Sequence, residues 1–104
     1  MPNDDSPDYG LSWELFESLP ANDLIRVGIE HLSKGKESIP ALLVSIGAPR
    51  LRRLGLPVPL NLFPSPEHRL YNLLSQSNSD GAHSRYNALV RKLVSFERAA
   101  ECAK

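Results

Sequence analysis

The sequence AHSRYNALVRKLVSFERAAEC, residues 82–102, decides more of the fold than any other stretch of the chain. Its apolar side chains recur every three or four residues, which is the spacing of one face of an α-helix. The row comprises Tyr86, Leu89, Val90, Leu93, Phe96 and Ala100, with Glu97 as its polar member. We therefore expect a long amphipathic helix from Ala82 to Cys102, about 30 Å in length.

A helix of this length needs more apolar cover than a small chain readily supplies. The chain has 104 residues, enough for one domain around one core. Two interpretations stay open: the whole row belongs to the core, or part of it contacts a second copy. For the second, we predict a contact through Tyr86, Leu89, Leu93 and Phe96, with Arg91 and Arg98 at its edge.

Shorter helices precede this one. A serine followed by proline begins two of them, at Ser38 and Ser65, because serine caps a helix and proline fits its first turn. We expect the helix after Ser38 to end at Gly47, and a separate short helix to cover 50–54. The helix after Ser65 should end at the polar loop 75–81.

The first third of the chain predicts two more helices. One begins at Ser12 and is stopped by Pro20. The next begins at Asn22 and ends at Gly35. A glycine inside it, Gly28, costs about 1 kcal/mol relative to alanine, so we expect close contact with another helix there.

Between the helices lies LPVPLNLFP, residues 56–64. Its three prolines forbid a helix and disfavour an interior strand, yet its other side chains are too apolar for a solvated linker. We expect an extended segment that covers the core. The alternative is an exposed apolar strip filled by a partner.

These elements predict an all-α fold: a compact bundle of about five to six short helices, a Pro-rich extended segment and a longer C-terminal helix. Residues 1–10 are acidic and polar and are expected to form a flexible tail, which leaves 11–104 as a single helical domain.

Charge and cysteine content limit the functional classes. The chain is neutral overall, but residues 1–37 carry a net charge of −5 and residues 38–104 a net charge of +5. The two parts either attract each other within the fold, or the basic part faces an anionic partner. The single cysteine, Cys102, and the acidic start favour a cytoplasmic protein with no membrane association.

Residues for catalysis or metal binding are sparse. His31, His68, His83 and Cys102 lie at least 15 residues apart, unlike the short spacings of zinc sites. The glycines are scattered singly, so no phosphate-binding loop is evident. We expect no enzymatic activity, no metal and no cofactor.

Two binding functions remain. The first is a small non-enzymatic interaction protein, a regulator or adaptor that binds a protein partner or forms a homodimer. The alternative is nucleic-acid binding, because guanidinium groups pair well with phosphate. The bases predicted for it are Arg50, Arg52, Arg53, Arg85, Arg91 and Lys92. The overall neutrality of the chain argues against the alternative.

Overall fold

The computed structural model describes residues 19–103, and this part of the chain contains four helices and no strand. They are α1 (Asn22–Ser33), α2 (Ile39–Arg53), α3 (Pro66–Ser77) and α4 (Ala82–Ala103). The all-α class and the long C-terminal helix are confirmed. The helix predicted from Ser12 and the tail predicted for residues 1–10 lie outside the described residues.

The helix α2 corrects the predicted helix count. It continues through Gly47 and Pro49 to Arg53, so the predicted end at Gly47 and the separate helix over 50–54 are wrong. An interior proline costs about 3 kcal/mol and a glycine about 1 kcal/mol. Burial of Leu51 and Leu54 beyond them offsets this cost, because each buried leucine contributes about 1.5–3 kcal/mol. The end signal that the structure uses is Gly55, with φ of 98°.

The core is centred on α2. Five consecutive residues, 41–45, are buried, which shows that neighbours cover this helix on more than one side. α1, α3 and α4 all pack against α2. Ser45 is the polar member of the run, and its hydroxyl donates to the Ala41 carbonyl at 3.0 Å. A buried hydroxyl satisfied within its own helix leaves the surrounding surface free for apolar contact.

The two glycines inside helices mark the closest helix contacts. A Cβ atom at Gly28 would lie 2.5 Å from Val44 Cγ2 and would also clash with the Pro40 carbonyl oxygen. The predicted close contact at Gly28 is therefore confirmed, and its partner is α2. Gly47 plays the same part where α2 meets α4, since a Cβ there would lie 2.9 Å from Leu93 Cδ1.

The caps follow prediction at one helix and depart from it at another. The Ser38 hydroxyl accepts a hydrogen bond from the Ala41 amide at 3.2 Å, as expected for an N-cap. Ser65 makes no side-chain cap and adopts a left-handed conformation with φ of 48°. The predicted Ser65 cap is wrong, because the turn after Pro64 determines that backbone geometry.

The Pro-rich segment divides into a covering half and an exposed half. Leu56 and Val58 are buried, whereas Leu60 is 88% exposed. The Arg52 guanidinium holds the segment by donating to the carbonyl oxygens of Val58 and Pro59. The expected cover over the core is confirmed for Leu56 and Val58. The alternative of an exposed apolar residue applies to Leu60.

Substitution of Gly28 by alanine tests the α1–α2 contact. We expect a loss of about 1–3 kcal/mol in the free energy of unfolding, because the added methyl group meets a backbone carbonyl that cannot move aside. Helix propensity alone predicts a gain of about 1 kcal/mol. Urea unfolding of Gly28→Ala beside Ser33→Ala, an exposed position of the same helix, measures the difference. Stabilisation by Gly28→Ala would refute the contact.

Candidate functional site

A groove of about 310 Å³ runs between the second half of α2 and the middle of α4; we call it the α2–α4 groove. Apolar side chains form most of its lining, and charged side chains stand at one end. It is lined by Ile46, Gly47, Pro49, Arg50, Arg53, Val90, Leu93, Val94 and Glu97. The side chains of Ile46, Val90 and Val94 are only partly buried by the chain's own packing.

Two small features of sequence create this groove. Gly47 lets α4 approach α2 closely at Leu93 and Glu97. Pro49, two residues nearer the end of α2, is exposed. Val90 and Val94 are four residues apart and therefore share one side of α4. The groove is thus an apolar channel beside a tight helix contact.

Glu97 supplies the charged end. Its side chain is 6% exposed, and its carboxylate lies 3.9 Å from Arg50 Nη1. Arg50 also pairs with the exposed Glu101 at 2.9 Å. Burial raises the pKa of Glu97, and the attraction of Arg50 only partly offsets that rise. The groove therefore places an incompletely compensated acid beside arginine, next to an apolar lining.

Two of the six protein-binding residues predicted from the sequence are buried inside the bundle, two are partly buried and two are exposed. Leu93 is 3% exposed and Phe96 is fully buried, so the chain's own core already covers them. Tyr86 and Leu89 are partly buried, and the Tyr86 ring packs against Tyr71 with centroids 5.9 Å apart. Arg91 and Arg98 are exposed.

Two other apolar side chains of α4, Val90 of the predicted row and Val94, are partly buried and line the α2–α4 groove. In the sequence, Val90 and Val94 form an apolar pair at i and i+4, on a side of the helix next to the residues that enter the core. The row predicted from the sequence includes Val90 but not Val94, because the row without Val94 already accounts for an amphipathic helix.

The six bases predicted for nucleic-acid binding do not share one face. Arg50 pairs with Glu101, and Arg52 holds the Pro-rich segment. Arg53 is exposed and lies near enough to Glu97 to lower the pKa of that carboxyl. Arg91 and Lys92 line a different groove, beside the start of α1. Arg85 is exposed near the start of α4.

The remaining side chains that could bind a metal ion or take part in catalysis are dispersed. His31 Nδ1 lies 2.7 Å from the Ser38 hydroxyl, and His83 contacts Asn87 on the same helix. Over residues 19–103, no three side chains of histidine, cysteine, aspartate or glutamate are grouped closely enough to hold a metal ion. None of the four described helices is long and apolar enough to cross a membrane.

Comparison with known proteins adds no assignment: no protein-family model, no curated protein and no solved structure matches this chain.

The raised pKa of Glu97 gives a test of its burial. The folded chain holds this proton more strongly than the unfolded chain, so the free energy of unfolding should fall as pH rises from the ordinary carboxyl range through the raised pKa. Glu97→Gln should flatten that dependence and keep at least the wild-type stability at pH 7. Glu30→Gln, at an exposed residue paired with Lys34, is the control. Unfolding curves across pH that match between Glu97→Gln and wild type would contradict the assignment.

Proposed function

We propose that this chain is a non-enzymatic protein-binding module, a small regulator or adaptor, that acts through the α2–α4 groove and self-associates. The observation that carries the proposal is an apolar groove, bordered by arginine, that the described part of the chain leaves uncovered. Apolar patches with such a border are typical of interfaces. The amino-acid composition of the chain suits a binding protein better than an enzyme.

The free energy available at this groove comes from its aliphatic side chains. Full burial of a valine or isoleucine contributes about 1.5–3 kcal/mol, and Ile46, Val90 and Val94 are each only partly buried. Their exposed fractions therefore supply part of that amount. Arg50 and Arg53 add specificity at the border, because charged groups orient a partner more than they tighten it.

The occupant that we propose is α4 of a second copy, packed antiparallel. His83, Val90, Val94 and Glu101 lie at intervals of seven, four and seven residues, so they follow one line along α4. A two-fold axis midway along this line sets Val90 against Val94 of the second copy. The same axis sets His83 against Glu101 at each end, next to the Arg50–Glu101 ion pair of the same chain.

This symmetry explains why one patch serves both copies. In a two-fold dimer each surface must complement itself, and the line of four residues satisfies that condition in both hydrophobicity and charge. The helix has 22 residues, about 33 Å at 1.5 Å per residue, so the line from His83 to Glu101 runs along most of its length. The revised contact is centred on Val90 and Val94, while Arg98 keeps its place at the edge.

Nucleic-acid binding stays the alternative proposal. Three bases of the predicted set, Arg85, Arg91 and Lys92, are exposed on α4. A mobility-shift assay at low salt tests them, because phosphate contacts weaken steeply as salt increases. Retardation that Arg91→Glu/Lys92→Glu abolishes would favour this alternative.

Substitution of Val94 by aspartate tests the protein-binding proposal. We expect the dimer dissociation constant from sedimentation equilibrium to rise about tenfold or more, because a carboxylate would be buried against the second copy without a partner. Ala88→Asp makes the same chemical change at an exposed position on another side of α4 and should leave the constant unchanged.

Folding of both variants is checked by helical circular dichroism at the same concentrations. If Val94→Asp unfolds, Val90→Gln serves the same test with a milder change. A wild-type chain that stays monomeric at high micromolar concentration, or equal effects of Val94→Asp and Ala88→Asp, would refute self-association through this groove.

A further inference from the structure

A buried carboxylate, that of Glu97, lines the α2–α4 groove. Its side chain is 6% exposed, and 3.9 Å separates the carboxylate from Arg50 Nη1, which is beyond hydrogen-bond distance. Over residues 19–103, no group donates a hydrogen bond to this carboxylate. Buried acceptors in proteins normally have a donor. The groove therefore presents Glu97 to a donor that has to come from the occupant of the groove.

The arginines near Glu97 do not take the place of that donor. Arg50 donates to the exposed Glu101 at 2.9 Å, so its guanidinium is already engaged. Burial raises the pKa of Glu97 and Glu101 adds to that rise, whereas the attraction of Arg50 and Arg53 offsets it only in part. A further hydrogen-bond donor would stabilise this carboxylate.

Glu97 lies on the same line of α4 as the residues proposed for the dimer contact. In full, this line advances by alternate steps of four and three residues, which is the spacing of a contact between two helices. Its members are His83, Asn87, Val90, Val94, Glu97 and Glu101. Asn87 and Glu97 are therefore inside the contact, between the central valines and the charged ends.

The two-fold axis proposed above passes level with residue 92 and pairs positions that are equally distant from it. Asn87 lies five residues before that level, and Glu97 lies five residues after it. The axis therefore sets Asn87 of one copy against Glu97 of the other, in the layer next to the valine pair. By symmetry, each dimer contains two such layers.

Asn87 has the donor that Glu97 lacks. The Asn87 side chain is exposed, and its Nδ2 lies 3.2 Å from His83 Nε2 on the same helix. A carboxamide has two N–H donors and an acceptor oxygen, so it can bond to His83 and to a second group at once. It also suits both forms of Glu97, because its N–H donates to an ionised carboxylate and its oxygen accepts from a protonated one.

We propose that in the dimer the Asn87 carboxamide of one copy donates to the Glu97 carboxylate of the other, and that this pair fixes the antiparallel register. The pairing depends on the self-association proposed above and adds the residues that make it specific. A parallel dimer sets Asn87 against Asn87 and Glu97 against Glu97. A polar pair in an apolar contact selects one register, because other alignments cover a polar group without a partner.

Asn87→Leu tests the pair through the dimer dissociation constant from sedimentation equilibrium. In an apolar contact without the pair, the leucine would tighten the dimer. With the pair, we expect the constant to rise about tenfold, because Glu97 is then covered without a donor. Ser84→Leu adds the same side chain at an exposed position on another side of α4 and should leave the constant unchanged.

Asn87→Leu/Glu97→Leu tests the coupling between the two positions. Replacing both polar partners fills the layer with apolar side chains, so we expect the dissociation constant to return to the wild-type value or below it. Helical circular dichroism checks that each variant is folded. If this variant unfolds, Asn87→Leu/Glu97→Gln should recover most of the loss, because a neutral amide is less costly to cover than a carboxylate.

Disulfide cross-linking tests the register directly. In a Cys102→Ser background, His83→Cys and Glu101→Cys are prepared as separate chains, mixed in equal amounts and oxidised. The antiparallel register brings position 83 of one chain to position 101 of the other, so we expect the disulfide to join unlike chains. A disulfide between two His83→Cys chains would show a parallel dimer and overturn the proposal.

The remaining outcomes separate this pair from the dimer itself. A wild-type chain that stays monomeric refutes the self-association, and the pair with it. A wild-type dimer that Val94→Asp dissociates, but that Asn87→Leu tightens or leaves unchanged, overturns the pair alone. Equal effects of Asn87→Leu and Ser84→Leu on the dissociation constant would also overturn the pair and leave the dimer in place.

Discussion

The close packing of α2 against its neighbours is the constraint on which the rest of the structure depends. α2 lies at the centre of the described chain, with α1, α3 and α4 packed around it. Two glycines make the closest approaches possible: Gly28 of α1 lies under Val44 and Pro40, and Gly47 of α2 lies under Leu93 and Glu97. Because protein interiors are close-packed, a methyl group at Gly28 would clash with the Pro40 backbone, and one at Gly47 would force the Leu93 and Glu97 side chains to move.

The same packing determines where the surface stays open. Because residue 47 is a glycine, α4 approaches α2 closely at this point. The larger side chains beside it form the walls of the α2–α4 groove. Glu97 is buried by this approach, and its carboxylate lies 3.9 Å from Arg50 Nη1. A buried acid of this kind adds little to stability, since the loss of hydration offsets the attraction of its partner. Its position at the end of an apolar groove is consistent with recognition of a partner.

Most of the helical architecture could be predicted from the sequence, because apolar periodicity and proline or glycine signals are local. α1, the start of α2, α3 and the full extent of α4 follow from such signals. The end of α2 could not be predicted in this way. Gly47 and Pro49 are strong local breakers, and only the burial of Leu51 and Leu54 against distant parts of the chain outweighs them. Tertiary packing of this kind leaves no local pattern.

The candidate site was harder to predict than the fold. The apolar row of α4 is evident in the sequence, but the sequence does not reveal which of its members the core covers. Leu93 and Phe96 enter the core, whereas Val90 and Val94 lie at its border. The difference depends on how α4 is rotated about its own axis against α2, and hence on the contact at Gly47. The positions of Arg91 and Arg98 on α4 follow from the same rotation.

Native-state hydrogen exchange of the α2 amides tests the central role of this helix most directly. If α2 is one continuous helix buried by its three neighbours, the amides of residues 42–48 and those of residues 50–54 should exchange together, with the free energy of global unfolding. Faster, independent exchange of residues 50–54 would show that the helix divides at Pro49. That result would contradict the packing on which the α2–α4 groove depends.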